Sequence, residues 1–175
     1  MTRYVALLGS INVGGNRLKM AELREALERE DFADVETVVA SGNVLFSHDE
    51  RPSDGLAEKI AHIVSDRFGI ETFAAVRSRD ELAAAIADNP FANDGEPNRV
   101  HTVFTQRPLD QAAFADFVEG YRGPERLAPG TREFYVDFCE GVGDSKLGQA
   151  MRKLKIRTTA RNVRSLQRML DKMDS

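Results

Sequence analysis

The order in which hydrophobic periods follow one another constrains this chain more than any other feature. Short apolar runs that end in glycine or turn residues alternate with stretches whose apolar positions recur every three or four residues, and the pattern is traversed nearly twice in 175 residues. Arg3 to Leu8 is an apolar run closed by Gly9, which predicts a buried strand. Met20, Leu23, Ala26 and Leu27 then line one face of a helix from Met20 to Arg29. Val35–Val39 and Asn43–Phe46, joined through Ala40, Ser41 and Gly42, read as a hairpin in which Gly42 is free to take positive φ. Ser53 is placed to cap a helix with Leu56, Ile60, Ile63 and Val64 on its buried stripe. Gly69 stands where a helix C-terminus wants glycine, and a strand over Ile70–Val76 follows.

That order, βαββαβ, is the ferredoxin-like pattern, and a second pass partly repeats it. Ser78 and Glu81 form a capping box before a connecting helix with Leu82, Ala85 and Ile86, which Asn89-Pro90 ends. A strand over Arg99–Thr105 precedes a helix over Asp110–Val118 with Ala113, Phe114, Phe117 and Val118 inward. A weak strand at Leu127 and a strand in which Phe134, Val136 and Phe138 alternate come next. Ser145–Leu154 reads as a helix with Leu147, Met151 and Leu154 on one side, and Arg161–Lys172 as a last helix burying Val163, Leu166 and Leu170. The expected fold is α+β, with two tandem ferredoxin-like halves: mainly antiparallel sheets with helices on one face, plus an extra C-terminal helix. The turn-rich Asn93–Asn98 divides an N-terminal subdomain, 1–92, from a C-terminal one, 93–175.

Composition narrows the class. At 42% hydrophobic and 30% charged residues the chain is ordinary globular material, long enough to bury a core without disulfides or metals. The lone Cys139 has no internal partner and reads as a half-buried structural thiol, which suits a reducing, cytoplasmic compartment. The apolar run at the N-terminus is shorter than an export signal needs, and no stretch approaches a membrane span, so no membrane partner is expected. His48, His62 and His101 are scattered without metal-ligand spacing, and neither a metal nor a cofactor is implied. Charge is divided unevenly. The last 31 residues hold nine basic side chains against Asp171 and Asp174, whereas the residues before them hold 15 basic and 26 acidic ones. Such a split fits an anionic partner, and equally a basic tail that packs on an acidic body of the same chain or a second copy.

Three segments carry candidate chemistry. In the loop from Gly9 to Asn16, Gly9 and Gly14 have the spacing of a phosphate-binding loop, but Gly15 and Asn16 stand where its lysine and hydroxyl residue belong. Nucleotide hydrolysis by that route is therefore not expected. Free backbone N–H groups beside Arg17 and Lys19 still suit an anion, while glycines that merely let the chain turn are the structural alternative. Ser41-Gly42-Asn43 suits a turn stabilised by side-chain bonds to backbone. Thr158-Thr159-Ala160-Arg161-Asn162 reads as a helix start. An arginine in a first turn opposes the helix dipole, and either a bound anion or a buried carboxylate would offset that conflict.

Taken in order, YVALLGSINVGG, the KMAELREAL helix, SGNVLF and the TARN segment at Thr159–Asn162 resemble the bacterial DUF1697 family, a domain of unknown function, over nearly the whole chain. Gly9-Ser10 stands where an Arg-Gly pair is usual in that family, and Val163 where a tryptophan is common. The resemblance implies a fold and adds little chemistry. The polar signature residues fall on a strand-to-helix loop, a hairpin turn and a helix start, places that carry function more often than packed faces do. Asn12, Gly14, Gly15, Asn16, Lys19, Ser41, Asn43, Thr159, Arg161 and Asn162 are thus expected to form one polar patch that binds an anionic group. The leading expectation is a module that binds a phosphate-bearing small molecule or a nucleic-acid segment. The alternatives are a small metal-independent enzyme acting on a phosphorylated or carboxylated metabolite with Arg161 and Lys19 as clamps, and a homo-oligomeric interaction protein, such as a homodimer, without a small-molecule ligand.

Overall fold

The computed structural model describes residues 1–9, 11, 17–39 and 42–175. Among these residues the chain is an α+β protein with two four-stranded antiparallel sheets and six helices. It divides into two compact units, residues 1–83 with 168–175, and residues 84–167.

In the first unit, β1 (Thr2–Gly9), α1 (Met20–Glu28), β2 (Ala33–Thr37), β3 (Asn43–His48), α2 (Ser53–Phe68) and β4 (Phe73–Ser78) build a sheet in the order β2-β3-β1-β4. The central strand β1 is buried from Tyr4 to Leu8, which explains its unbroken apolar run. Alternation along the strands sends Tyr4, Ala6 and Leu8 to one face with Val44, Phe46, Ala74 and Val76. Leu23 and Leu27 of α1 and Leu56, Ile60 and Val64 of α2 close over that face, so both helices pack on one side of the sheet. Phe46 stacks on Tyr4 at 5.5 Å and meets the edge of Phe32 at 4.9 Å, between ring centroids.

Local signals set the limits of these elements. Gly42 (φ 89) and Gly69 (φ 65) take the positive φ expected of them, and the Gly69 N–H closes α2 on the Ser65 carbonyl at 2.9 Å. The Ser78–Glu81 capping box forms reciprocally: Ser78 N–H donates to Glu81 Oε1 at 2.8 Å, and Glu81 N–H to Ser78 Oγ at 3.2 Å. It starts α3 (Arg79–Ala87). Ser53 proves to be the first residue of α2, with Pro52 in the N-cap position. Proline preset near −60° in φ is well suited to the start of a helix, and this displaces the serine cap the sequence suggests. The strand expected at Ile70–Val76 begins instead at Phe73 and runs to Ser78.

The opposite face of the first sheet is also buried, at Val5, Leu7, Leu45, Ala75 and Arg77. Arg77, at 1% exposure, donates to the Val76 carbonyl at 3.0 Å. The chain's last eight residues belong to this unit. Arg79 holds Asp174 through two hydrogen bonds of 2.8 Å each, and Lys172 lies 3.8 Å from Glu36 on β2.

In the second unit, β5 (Val100–Phe104), α4 (Gln111–Gly120), β6 (Arg126–Pro129), β7 (Glu133–Asp137), α5 (Leu147–Met151) with a 3-10 turn (Arg152–Leu154), and β8 (Thr159–Asn162) repeat the plan, with sheet order β6-β7-β5-β8. Val103, Phe114, Phe134, Val136 and Leu147 form its core. Asp110 caps α4 by accepting from Ala113 N–H at 3.0 Å. Ala113, expected inward, is exposed, because α4 lays only Phe114 fully into the core and sets Phe117 and Val118 at its margin. Cys139 is likewise exposed rather than half-buried, since it follows the end of β7.

Two further corrections bear on function. Thr159–Asn162 is an edge strand paired antiparallel with β5, not the start of a helix, and α6 begins after it (Val163–Met173). The Asn93–Asn98 loop, which reads as a boundary, lies inside the second unit and is pinned there. Asp94 accepts two hydrogen bonds from Arg126, whose guanidinium sits 4.6 Å above the Phe91 ring and also holds the buried Asp137 carboxylate. A Cβ on Gly95 would run into Val100 and stand 3.0 Å from the Phe91 carbonyl, so this turn needs glycine.

Candidate functional site

Of the ten residues expected in one anion-binding patch, Asn12, Gly14, Gly15, Asn16 and Ser41 lie outside the described residues. Lys19 and Asn43 belong to the first unit, and Thr159, Arg161 and Asn162 sit together on β8 of the second. Lys19 is exposed at the N-cap position of α1. Asn43 is buried, and its amide donates to the Val39 carbonyl at 2.6 Å, which supports a residue held at φ 49. That is the turn-stabilising role its sequence context suggests. Asn162 Oδ1 accepts from Ser165 N–H at 2.8 Å, so it caps α6.

Arg161 is the distinctive member. Its Nη1 donates to Thr159 Oγ1 at 2.7 Å and to the Ala160 carbonyl at 2.9 Å, and burial pulls the guanidinium down to about 10. Because Arg161 lies in a strand and precedes α6, the clash with a helix dipole does not arise. Desolvation takes its place as the physical cost of keeping the charge. Antiparallel register sets Thr102 of β5 directly opposite Arg161, and Tyr135 of β7 opposite Thr102, so the three share one face of the sheet. Thr102 is fully buried, and its Oγ1 meets no hydrogen-bond partner among the described residues. Burial, with the Glu133 and Asp88 carboxylates behind it, pushes the Tyr135 phenol well up.

A second polar cluster escapes sequence reasoning altogether. Tyr121, after α4, and Ser145, before α5, both donate to Glu125: Tyr121 Oη to Oε2 at 2.6 Å, and Ser145 Oγ to Oε1. Leu147 N–H in turn donates to Ser145 Oγ at 3.1 Å. Burial alone would raise the Glu125 carboxyl, but the two hydroxyl donors outweigh it and hold the group below the ordinary glutamate range. The Tyr121 phenol is pushed up to about 12 by desolvation and by the neighbouring carboxylate. These groups line an open cavity of about 410 Å³ that Lys146 also borders. A Cβ on Gly123 would strike both the Tyr121 hydroxyl and Glu125, so the glycine is what allows the pair to meet. Among the described residues no group of three or more His, Cys, Asp or Glu side chains is placed to hold a metal ion, and no helix is long and apolar enough to cross a membrane.

The family model described as a protein of unknown function, DUF1697, matches residues 1–135. The chain belongs to the DUF1697 family. The DUF1697 match covers the first unit's sheet and continues into β7, and it stops short of β8, so the TARN segment lies beyond it. Among solved structures, a conserved bacterial protein, SP0830 from Streptococcus pneumoniae, is similar at 24% identity with a TM-score of 0.74, covering 100% of this chain and 99% of its own. At that identity the likeness shows the fold. No curated protein matches the chain.

Proposed function

We propose that this DUF1697 chain is a cytoplasmic binding module for a phosphate-bearing or other anionic ligand, built on two tandem ferredoxin-like halves. The strand order β2-β3-β1-β4 and its repeat β6-β7-β5-β8, with a helix after the first and third strand of each set, support the fold reading. A single, exposed cysteine suits a reducing compartment.

The observation that carries the reading is Arg161. Its charge is desolvated enough to draw the guanidinium down to about 10, it bonds to a hydroxyl and a carbonyl oxygen, and it shares a sheet face with the unsatisfied Thr102 hydroxyl. An oxyanion would stabilise the guanidinium and give the Thr102 hydroxyl an acceptor. The test is a thermal-shift series with inorganic phosphate, nucleotides and sugar phosphates. A ligand at 100 times its dissociation constant adds about 2.7 kcal/mol, enough to raise the midpoint by several degrees. The shift is expected to vanish in Arg161→Ala; a flat response of the unaltered protein to every phosphate sinks the reading.

The Tyr121–Glu125–Ser145 cluster favours a second reading, a metal-independent enzyme in which Ser145 Oγ attacks a phosphoester phosphorus and passes its proton to Glu125, the P–O bond to the ester alcohol breaks as that alcohol takes the proton from Glu125, and water then releases phosphate from the serine. The depressed carboxyl is a weak proton acceptor, which ranks this reading behind the first. It requires turnover of a phosphoester in the same series that Ser145→Ala abolishes, and absence of any turnover rejects it.

A further inference from the structure

From Lys146 to Leu170 the chain carries eight basic residues and no acidic one, although its net charge is −4. Four of the eight, Arg152, Lys153, Lys155 and Arg157, fall within six residues where the 3-10 turn after α5 leads toward β8, and all four are exposed. Arg152, Lys153 and Lys155 enter no ion pair among the described residues. Like charges this dense repel one another, and among the described residues the first three have no paired carboxylate to offset that repulsion.

The backbone adds a second observation. Lys155 closes the 3-10 turn in the left-handed region, at φ 53, a conformation that favours glycine or asparagine. A lysine here accepts strain that glycine would relieve, which makes sense if its charge is used. Ile156, between Lys155 and Arg157, is 42% exposed.

We propose that this turn binds single-stranded nucleic acid through its phosphodiester backbone. Four cations in six residues exceed what a single phosphate group needs and suit a polyanion. The turn itself contains no aromatic residue on which a base would stack, so binding is independent of sequence. A lipid surface fits less well, because a basic segment stays on an anionic membrane stably only beside a second, apolar anchor, and this turn exposes only Ile156 as a large apolar side chain. The inference goes beyond the Arg161 reading to a separate surface of the same unit. It uses other side chains than Arg161, so the two fail separately.

Fluorescence anisotropy of labelled oligouridylate and oligothymidylate, titrated with the full chain between about 50 and 200 mM salt, tests it. Each cation that displaces counterions from a single strand adds about −0.7 to the slope of log K against log salt, so four give a slope of about −3. The quadruple change R152Q/K153Q/K155Q/R157Q is expected to abolish binding. Lys155→Gly, which suits the local backbone, is expected to make the slope shallower by about 0.7 with no loss of thermal midpoint. Tighter binding of one probe assigns the source as RNA or DNA, and either supports the proposal. Unchanged binding in the quadruple variant overturns it. So does a thermal response to inorganic phosphate without any oligonucleotide binding, which leaves the Arg161 reading standing. Salt-sensitive self-association through the same four residues, with no oligonucleotide response, also overturns it.

Discussion

His101 sits on β5 with its ring edge-on to Phe138, 4.9 Å between centroids, and burial holds its imidazole below the ordinary 6.5. The folded chain therefore takes up this proton less readily than the unfolded one. Stability from this residue is complete above pH 6.5 and falls as pH drops from there toward the lower folded value. Urea midpoints measured at pH 7.5 and 5.5 should differ in the unaltered protein and differ less in His101→Gln; an equal pH dependence in both would show that another group controls it. Single residues also mark the limit of sequence reading. The positive φ of Gly42 and Gly69 was legible because glycine is the residue type that such a conformation selects. The meeting of Tyr121, Glu125 and Ser145 was not, since nothing in their spacing has a period and only tertiary folding joins them. The exposure of Cys139 was hidden for the same reason: a thiol looks alike in sequence whether it faces the core or water.

Among the elements, β8 and α6 show what a single asparagine does. Asn162 ends the strand and caps the helix through its bond to Ser165 N–H. Asn162→Ala should cost about 1 kcal/mol in urea unfolding, and Asn162→Asp or Asn162→Ser should restore most of it. A neutral effect of the alanine would mean that packing alone sets the start of α6. The amphipathic helices α1, α2 and α4 and the capping box of α3 were legible because their determinants lie within a few residues of one another. β8 gives no such sign, because four residues are too few to display a period. It becomes a strand by pairing with β5, more than fifty residues earlier, and the chain itself gives no local sign of that partner. The candidate site depends on the same pairing, since sequence sets Arg161 against a helix dipole whereas burial on a sheet face is what acts on it.

At the scale of the whole molecule, the chain ends where it began. Residues 168–175 belong to the first unit, held there in part by Arg79 with Asp174 and Lys172 with Glu36. The expected charge split is thus partly met inside the protein, where a basic residue of the C-terminal segment meets an acid of the body. Met169 in this returning segment is fully buried. Met169→Ala should destabilise the protein by about 2–5 kcal/mol in chemical unfolding. A loss under about 0.5 kcal/mol, the range of an ordinary surface substitution, would show that the segment does not matter to stability. The return also sets a schedule for synthesis. A ribosome moving at about 5–20 residues per second needs roughly 4–17 s to pass from the end of the first unit's main segment to the residues that complete it. During that interval the N-terminal unit waits unfinished while the second unit emerges whole. Nascent chains stalled before residue 168 would accordingly be the form of this protein most exposed to chaperones and proteases.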